Sequence, residues 1–154
     1  MQPITFEENA DAVAAELDTR LGQFNDQQAG PRNRLKFVLA VRDDDGELLG
    51  GLVGETLWNT LYVGVLWVHV QHRGNGYGTA LMERAQQVAR EHGCDVVFLN
   101  TTTFQAPGFY AKLGYTVFGE LADVPRGHRR LWFCKRLPAA PTRDRDALTL
   151  PVQP

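Results

Sequence analysis

The chain has 154 residues, 44% of them hydrophobic and 22% charged, with a formal net charge of −2; that suits one globular domain with a buried core and gives no reason to expect nucleic acid or an anionic membrane as partner. No run approaches the roughly 18 apolar residues of a membrane span, and the opening MQPITFEENADAV is acidic, without the basic and apolar segments of a signal peptide. Two isolated cysteines, Cys94 and Cys134, make no disulfide framework, so the expected setting is the cytoplasm, with both thiols reduced.

Residues 2–6 are expected to form a short first strand. Val13, Leu17, Leu21 and Phe24 then recur at helical spacing and predict a helix over 10–24, with Asn9 or Asp11 as cap. The polar stretch 25–31 ends in Gly30-Pro31 and is expected to be a loop. Strands follow at 36–42 and 47–58, joined by Asp43-Asp44-Asp45-Gly46, whose Asp-Gly chemistry favours a hairpin. After a turn at Asn59-Thr60, residues 61–70 (LYVGVLWVHV) form a long apolar run with little alternation, the pattern of a strand covered on both faces. A helix is predicted over 76–92, with Leu81, Ala85, Val88, Ala89 and His92 on its apolar stripe, Gln86 off it, and Gly93 as its stop. A strand at 95–100, a short helix at 106–113 with Pro107 in its first turn, and strands at 115–121 and 130–137 complete a mixed α/β order. The crossover from 61–70 through the helix to 95–100 is expected to be right-handed. From Pro138 to Pro154 the chain is rich in Pro, Asp and Arg without a period; it is expected to be a disordered tail beyond a single domain at 1–137.

The segment Arg73-Gly74-Asn75-Gly76-Tyr77-Gly78-Thr79 follows a buried strand and opens a helix. Glycines there let the backbone turn tightly and approach a ligand. Free N–H groups at the helix start, together with the helix dipole, favour an anion. Arg73 adds a charge-assisted bond. The geometry predicts a phosphate or pyrophosphate site. It lacks the third glycine and the following acidic residue of a dinucleotide fingerprint, since Thr79 and Asn100 stand at those places, and the Gly-Lys-Ser/Thr of a Walker loop is absent.

Arg73 to Gly78 resembles the Arg/Gln-x-x-Gly-x-Gly/Ala signature of the GNAT N-acetyltransferases. Leu66-Trp67-Val68 upstream and Phe109-Tyr110-Ala111-Lys112-Leu113-Gly114-Tyr115 downstream are similar to that family's flanking segments, at matching separation. The resemblance implies a mixed sheet of six to seven strands flanked by helices, with the two central strands splayed to admit acetyl-CoA as co-substrate and with no metal. The pyrophosphate would rest on backbone N–H groups of Arg73, Gly74, Asn75, Gly76, Gly78 and Thr79, and the pantetheine arm would pair with the backbone near Val68 and Val70. Two departures stand out. Val70 replaces a frequent proline, and Phe104-Gln105-Ala106 occupies the place of an asparagine that often precedes the Phe-Tyr helix. The resemblance also brings homodimers with it.

Acetyl transfer to an amine needs a base for the ammonium proton, stabilisation of the thioester oxygen and a proton for the departing thiolate. The resemblance gives the last role to Tyr110. The N–H of Val68 is expected to serve the oxygen, freed by a bulge at Gly64. Glu55, flanked by apolar residues in the neighbouring strand, is the candidate base. Burial there would raise its pKa; a water chain is the alternative. Trp58, Tyr62, Trp67 and Phe104 are candidates to line an acceptor pocket. His69 and His72 have no third ligand at metal spacing. Arg126, His128, Arg129, Arg130, Lys135 and Arg136 form a basic cluster expected to be a solvated turn and edge strand, with contact to an acidic acceptor or RNA as the lesser alternative. The acceptor expected from this reasoning is a small-molecule primary amine. Acetylation of a protein or an aminoacyl-tRNA, or a CoA-binding regulatory module without turnover, are the alternatives.

Overall fold

The structure is a computed structural model that describes residues 1–138; the expected tail, apart from Pro138, lies outside the described residues. By its backbone contacts the chain divides into a unit Met1–Asn33 and a second that begins at Arg34. In the first unit, residues 1–7 form neither helix nor strand, and Ile4 and Phe6 are fully exposed, so the expected first strand is absent. Helix α1 spans Ala10–Ala29 and starts at Asn9, whose side chain accepts from the N–H of Ala12. It runs five residues past the predicted end. Polarity suggested a loop, yet Gln27, Gln28 and Ala29 are sound helix formers, and the helix stops only at Gly30 (φ 77°). Arg32 folds back to ion-pair with Asp26 at 3.4 Å and Asp18 at 3.8 Å.

The second unit holds strands β1 (Leu35–Arg42), β2 (Leu48–Leu57) and β3 (Thr60–Val68), helix α2 (Tyr77–Glu91), strand β4 (Val96–Thr102), helix α3 (Pro107–Lys112), and strands β5 (Thr116–Ala122) and β6 (Arg129–Arg136). The sheet order is β1-β2-β3-β4-β6-β5. Among the described strands only β3 and β4 pair in parallel. The β1–β2 turn closes because Asp43 Oδ1 accepts from the N–H of Asp45 and Glu47, while Gly46 takes φ 86°.

One sheet face and α2 share the core: Leu52, Leu61, Val63, Val97, Leu99, Leu131 and Phe133 pack with Leu81, Met82, Ala85 and Ala89. Gln86 is buried with them, against expectation, because its Nε2 donates to the hydroxyl of buried Tyr115 at 3.3 Å. Strand β3 is not covered on both faces. Leu61 and Val63 are buried, but Val65 and Trp67 are exposed. Its apolar run reflects the sheet centre for only half its length. Cys94 is buried, Cys134 half-buried, and both are free thiols.

Two irregularities open the centre of the sheet. Val53 pairs with Val65 and Gly54 with Val63, which leaves Gly64 as the extra residue of a bulge. Pairing between β3 and β4 runs from Thr60↔Val96 to Val63↔Leu99 and stops there, although β3 continues to Val68 and β4 to Thr102. The strands therefore part beyond Val63.

Candidate active site

The gap between the parted strands is the floor of a cleft of about 790 Å³. The β3 wall comprises Gly64 to Val68, the α2 wall His72 to Thr79 without Asn75, and the β4–α3 wall Asn100, Thr101, Phe104, Gln105, Ala106, Phe109 and Tyr110. The glycine turn and the Phe-Tyr helix, far apart in sequence, thus face one space.

The helix end of this cleft is built for an anion. Gly74 (φ 83°) and Gly76 (φ 85°) adopt the left-handed conformation, which glycine alone takes without strain. A Cβ at either would meet no chain atom within 4 Å, so that space is open to a ligand. Gly76 caps α2 without a side chain. The first intrahelical bond is Ala80 N to Gly76 O, so the N–H groups of Tyr77, Gly78 and Thr79 have no partner within the helix. A diphosphate fits such a cradle by charge and by room. Gly78 also governs packing. A Cβ there would lie 3.3 Å from the Phe109 ring, so its absence lets α2 and α3 close together.

The β3 wall offers donors. His69 N donates to Leu49 O in β2 at 2.8 Å. Backbone direction alternates along a strand, so the N–H groups of Leu66 and Val68 point the other way, towards the gap. The carbonyl of Val68 accepts from Arg73 Nε at 3.1 Å; Arg73 therefore fastens the strand end as well as lining the cleft. Val70 does not extend the strand edge. It has turned into a 3-10 turn, Val70–His72, is well exposed, and does not line the cleft.

Tyr110 is 8% exposed and its ring packs against Phe109, Tyr115 and Phe133 at 5.1, 6.2 and 5.8 Å between centroids. Its hydroxyl makes no hydrogen bond among the described residues, and the residue lines the cleft. Desolvation by burial pushes its pKa up, which keeps the phenol protonated at neutral pH. Tyr115 is held higher still, by burial first, against a lowering bond from Gln86.

Glu55 stands elsewhere. Its register partners are Lys36 and Tyr62, before the strands part, and it forms an ion pair with Arg34. It does not line the cleft. Trp58 sits in the β2–β3 turn (φ 51°), at the far end of β3 from Val68, and does not line it either. Trp67 and Phe104 do. Tyr62 is joined to the cleft through Asn100, whose Nδ2 donates to its hydroxyl at 2.9 Å. Sequence patterns did not single out Asn100 or Gln105 as site residues. Gln105 Oε1 accepts from Thr101 Oγ1 and Thr102 N, each at 2.9 Å, and so shapes the loop where the expected asparagine is missing. Among the described residues no group of His, Cys, Asp and Glu could hold a metal, and no helix is long and apolar enough to cross a membrane.

A parted parallel strand pair facing an uncapped, glycine-opened helix is the architecture of an acyl-CoA-dependent N-acyltransferase. Residues 3–115 match the family model described as Acetyltransferase (GNAT) family. An acetyltransferase of Agrobacterium fabrum is 32% identical over 82% of this chain and 93% of its own length. Blasticidin-S acetyltransferase of Streptomyces morookaense is 47% identical over 53% of this chain and 61% of its own length, so the match spans about three-fifths of that relative. A crystal structure of an acetyltransferase from Bacillus cereus superposes with a TM-score of 0.78 at 30% identity, covering 87% of this chain and 98% of the other. The chain belongs to the GNAT acetyltransferase family.

Proposed function

We propose that the chain transfers an acetyl group from acetyl-CoA to the primary amine of a small molecule, with Tyr110 as the acid. The observation that carries this is the convergence, in one cleft, of the helix start at Gly76, which has no side-chain cap, and the hydroxyl of Tyr110, unbonded among the described residues. The small-molecule acceptor is favoured by the name of the blasticidin-S relative.

When bound, acetyl-CoA supplies the thioester carbon that the amine attacks. The N–H groups of Tyr77, Gly78 and Thr79 and the open faces of Gly74 and Gly76 would hold its diphosphate. Leu66 and Val68 present N–H groups along the gap; these would pair with the amide arm and donate to the thioester oxygen as it gains charge. The Tyr110 hydroxyl would donate its proton as the thiolate departs. Trp67, Phe104 and Asn100 would receive the acceptor. Glu55 is not placed to take the amine proton directly; that proton leaves through water.

Thiol release from acetyl-CoA, measured across a panel of primary amines, tests the assignment. Turnover with at least one small amine is expected. Binding of acetyl-CoA without turnover of any amine, peptide or aminoacyl-tRNA would make the chain a CoA-binding module instead.

A further inference from the structure

Among the described residues two side-chain polar atoms lie sealed from solvent without a hydrogen-bond partner: Thr102 Oγ1 and Arg130 Nε. They are not scattered. Thr102 and Arg130 are direct register partners across β4 and β6. Thr102 is 5% exposed. Arg130 is half-buried and makes no ion pair among the described residues. Two other cations of β6 are engaged. Arg129 pairs with Glu120 at 3.3 Å, and Lys135 donates to Leu113 O at 2.8 Å.

A partly desolvated guanidinium without a counter-charge is costly, and so is an unpaired buried hydroxyl. Arg Nε is only a donor, and the threonine hydroxyl can donate as well. The hydroxyl can also accept, but a bond between the two would leave the guanidinium charge uncompensated; a negatively charged acceptor with two oxygens answers both groups. A carboxylate meets that need; an amide offers half of it, and a cation is repelled.

The pair borders the cleft without lining it. Asn100, two residues before Thr102 on the same side of β4, lines it, and so does Phe104. The loop carrying Phe104 is fastened to the start of β6: Thr103 N donates to Arg129 O at 3.0 Å, and Arg129 N donates to Thr103 Oγ1 at 3.2 Å. His128 packs edge-on against Phe104 at 4.8 Å. The β6 backbone next to Arg130 is therefore held beside the wall that would receive the acceptor, while the Arg130 side chain remains free to turn.

We propose that Arg130, with Thr102, reads a carboxylate on the acceptor, so that the amine acetylated here belongs to a molecule that also carries a carboxylate. This rests on the acetyl-transfer assignment above and narrows its substrate class. The outer guanidinium nitrogens are not among the sealed atoms and make first contact; the pairing then satisfies the sealed donors.

The test offers amines in pairs, glycine, β-alanine and lysine each beside its carboxamide, to the full chain with saturating acetyl-CoA. In the wild type the acid should exceed the amide in kcat/KM by about 10-fold or more, through KM. Arg130→Gln should bring that ratio close to one by raising KM for the acid alone, with acetyl-CoA binding unchanged, and Arg130→Lys should restore part of it. Arg130→Met should melt at or above the wild-type temperature, because it removes an unpaired buried donor. Loss on both members of a pair, together with a lower melting temperature, would show a structural role and overturn the proposal. Equal turnover of acids and amides would overturn it and leave acetyl transfer intact. Calorimetry separates the remaining cases. Arg130-dependent binding of an acid without turnover supports the subsite and counts against acetyl transfer. Neither binding nor turnover of any acid overturns the subsite.

Discussion

Tyr110→Phe removes one hydroxyl and leaves the ring. In the structure the hydroxyl has no partner among the described residues, and the ring contacts with Phe109, Tyr115 and Phe133 survive the change. No buried donor is orphaned by the loss, so stability should move by less than about 1 kcal/mol. Catalysis should suffer more. A positioned general acid contributes about 10²–10⁴-fold, equivalent to roughly 3–5 kcal/mol of barrier. The hydroxyl acts only as charge develops on sulfur, so KM for acetyl-CoA should stay near the wild-type value while kcat falls. The assay is thiol release at saturating acetyl-CoA and amine, followed across pH, beside a thermal melt. Because burial raises the Tyr110 pKa, wild-type kcat should hold on the alkaline side through the ordinary phenol range near 10. A variant whose kcat stays within about twofold of wild type across that range would remove Tyr110 as the acid.

Other consequences follow from the same geometry. Gly76→Val places a branched side chain at φ 85°, where the Cβ meets no chain atom; a loss of about 1–2 kcal/mol from left-handed strain is expected, with a larger loss of acetyl-CoA affinity, both read by melting and calorimetry. Gln105→Leu strips two donors, Thr101 Oγ1 and Thr102 N, of their acceptor; about 1–3 kcal/mol of stability should be lost, and hydrogen exchange at Thr102 should quicken. Burial raises the pKa of Tyr110 and Tyr115 in the fold. Their contribution to stability is thus complete below the unfolded-chain pKa near 10 and declines as pH rises above it. Melting between pH 8 and 11 should show that decline, shallower in Tyr110→Phe.

The parts legible in the sequence are those where local chemistry decides. Gly74 and Gly76 need left-handed backbone at a helix start, and the bulge at Gly64 sits where a glycine interrupts an apolar strand. Pairing that ends at Val63↔Leu99 matches the splay implied by the GNAT resemblance. The parts missed depend on partners distant in the chain. Glu55 looked buried because its neighbours are apolar, but register sets it by Lys36 and Tyr62, and Arg34 claims it. Gln86 looked solvated until Tyr115, 29 residues on, gave it a bond. Val65 and Trp67 read as buried because an apolar run does not show where the covering layer ends. The orphaned Thr102–Arg130 pair exists only through β4–β6 pairing; in the sequence Arg130 is one more member of a basic cluster.

Calorimetric titration of the full chain with acetyl-CoA, beside NAD and ATP, tests the central claim most directly. Saturable binding of acetyl-CoA is predicted, tighter than either nucleotide by roughly 10-fold or more and weakened in Gly76→Val. Binding of NAD or ATP in preference to acetyl-CoA, or acetyl-CoA binding untouched by that substitution, would contradict it.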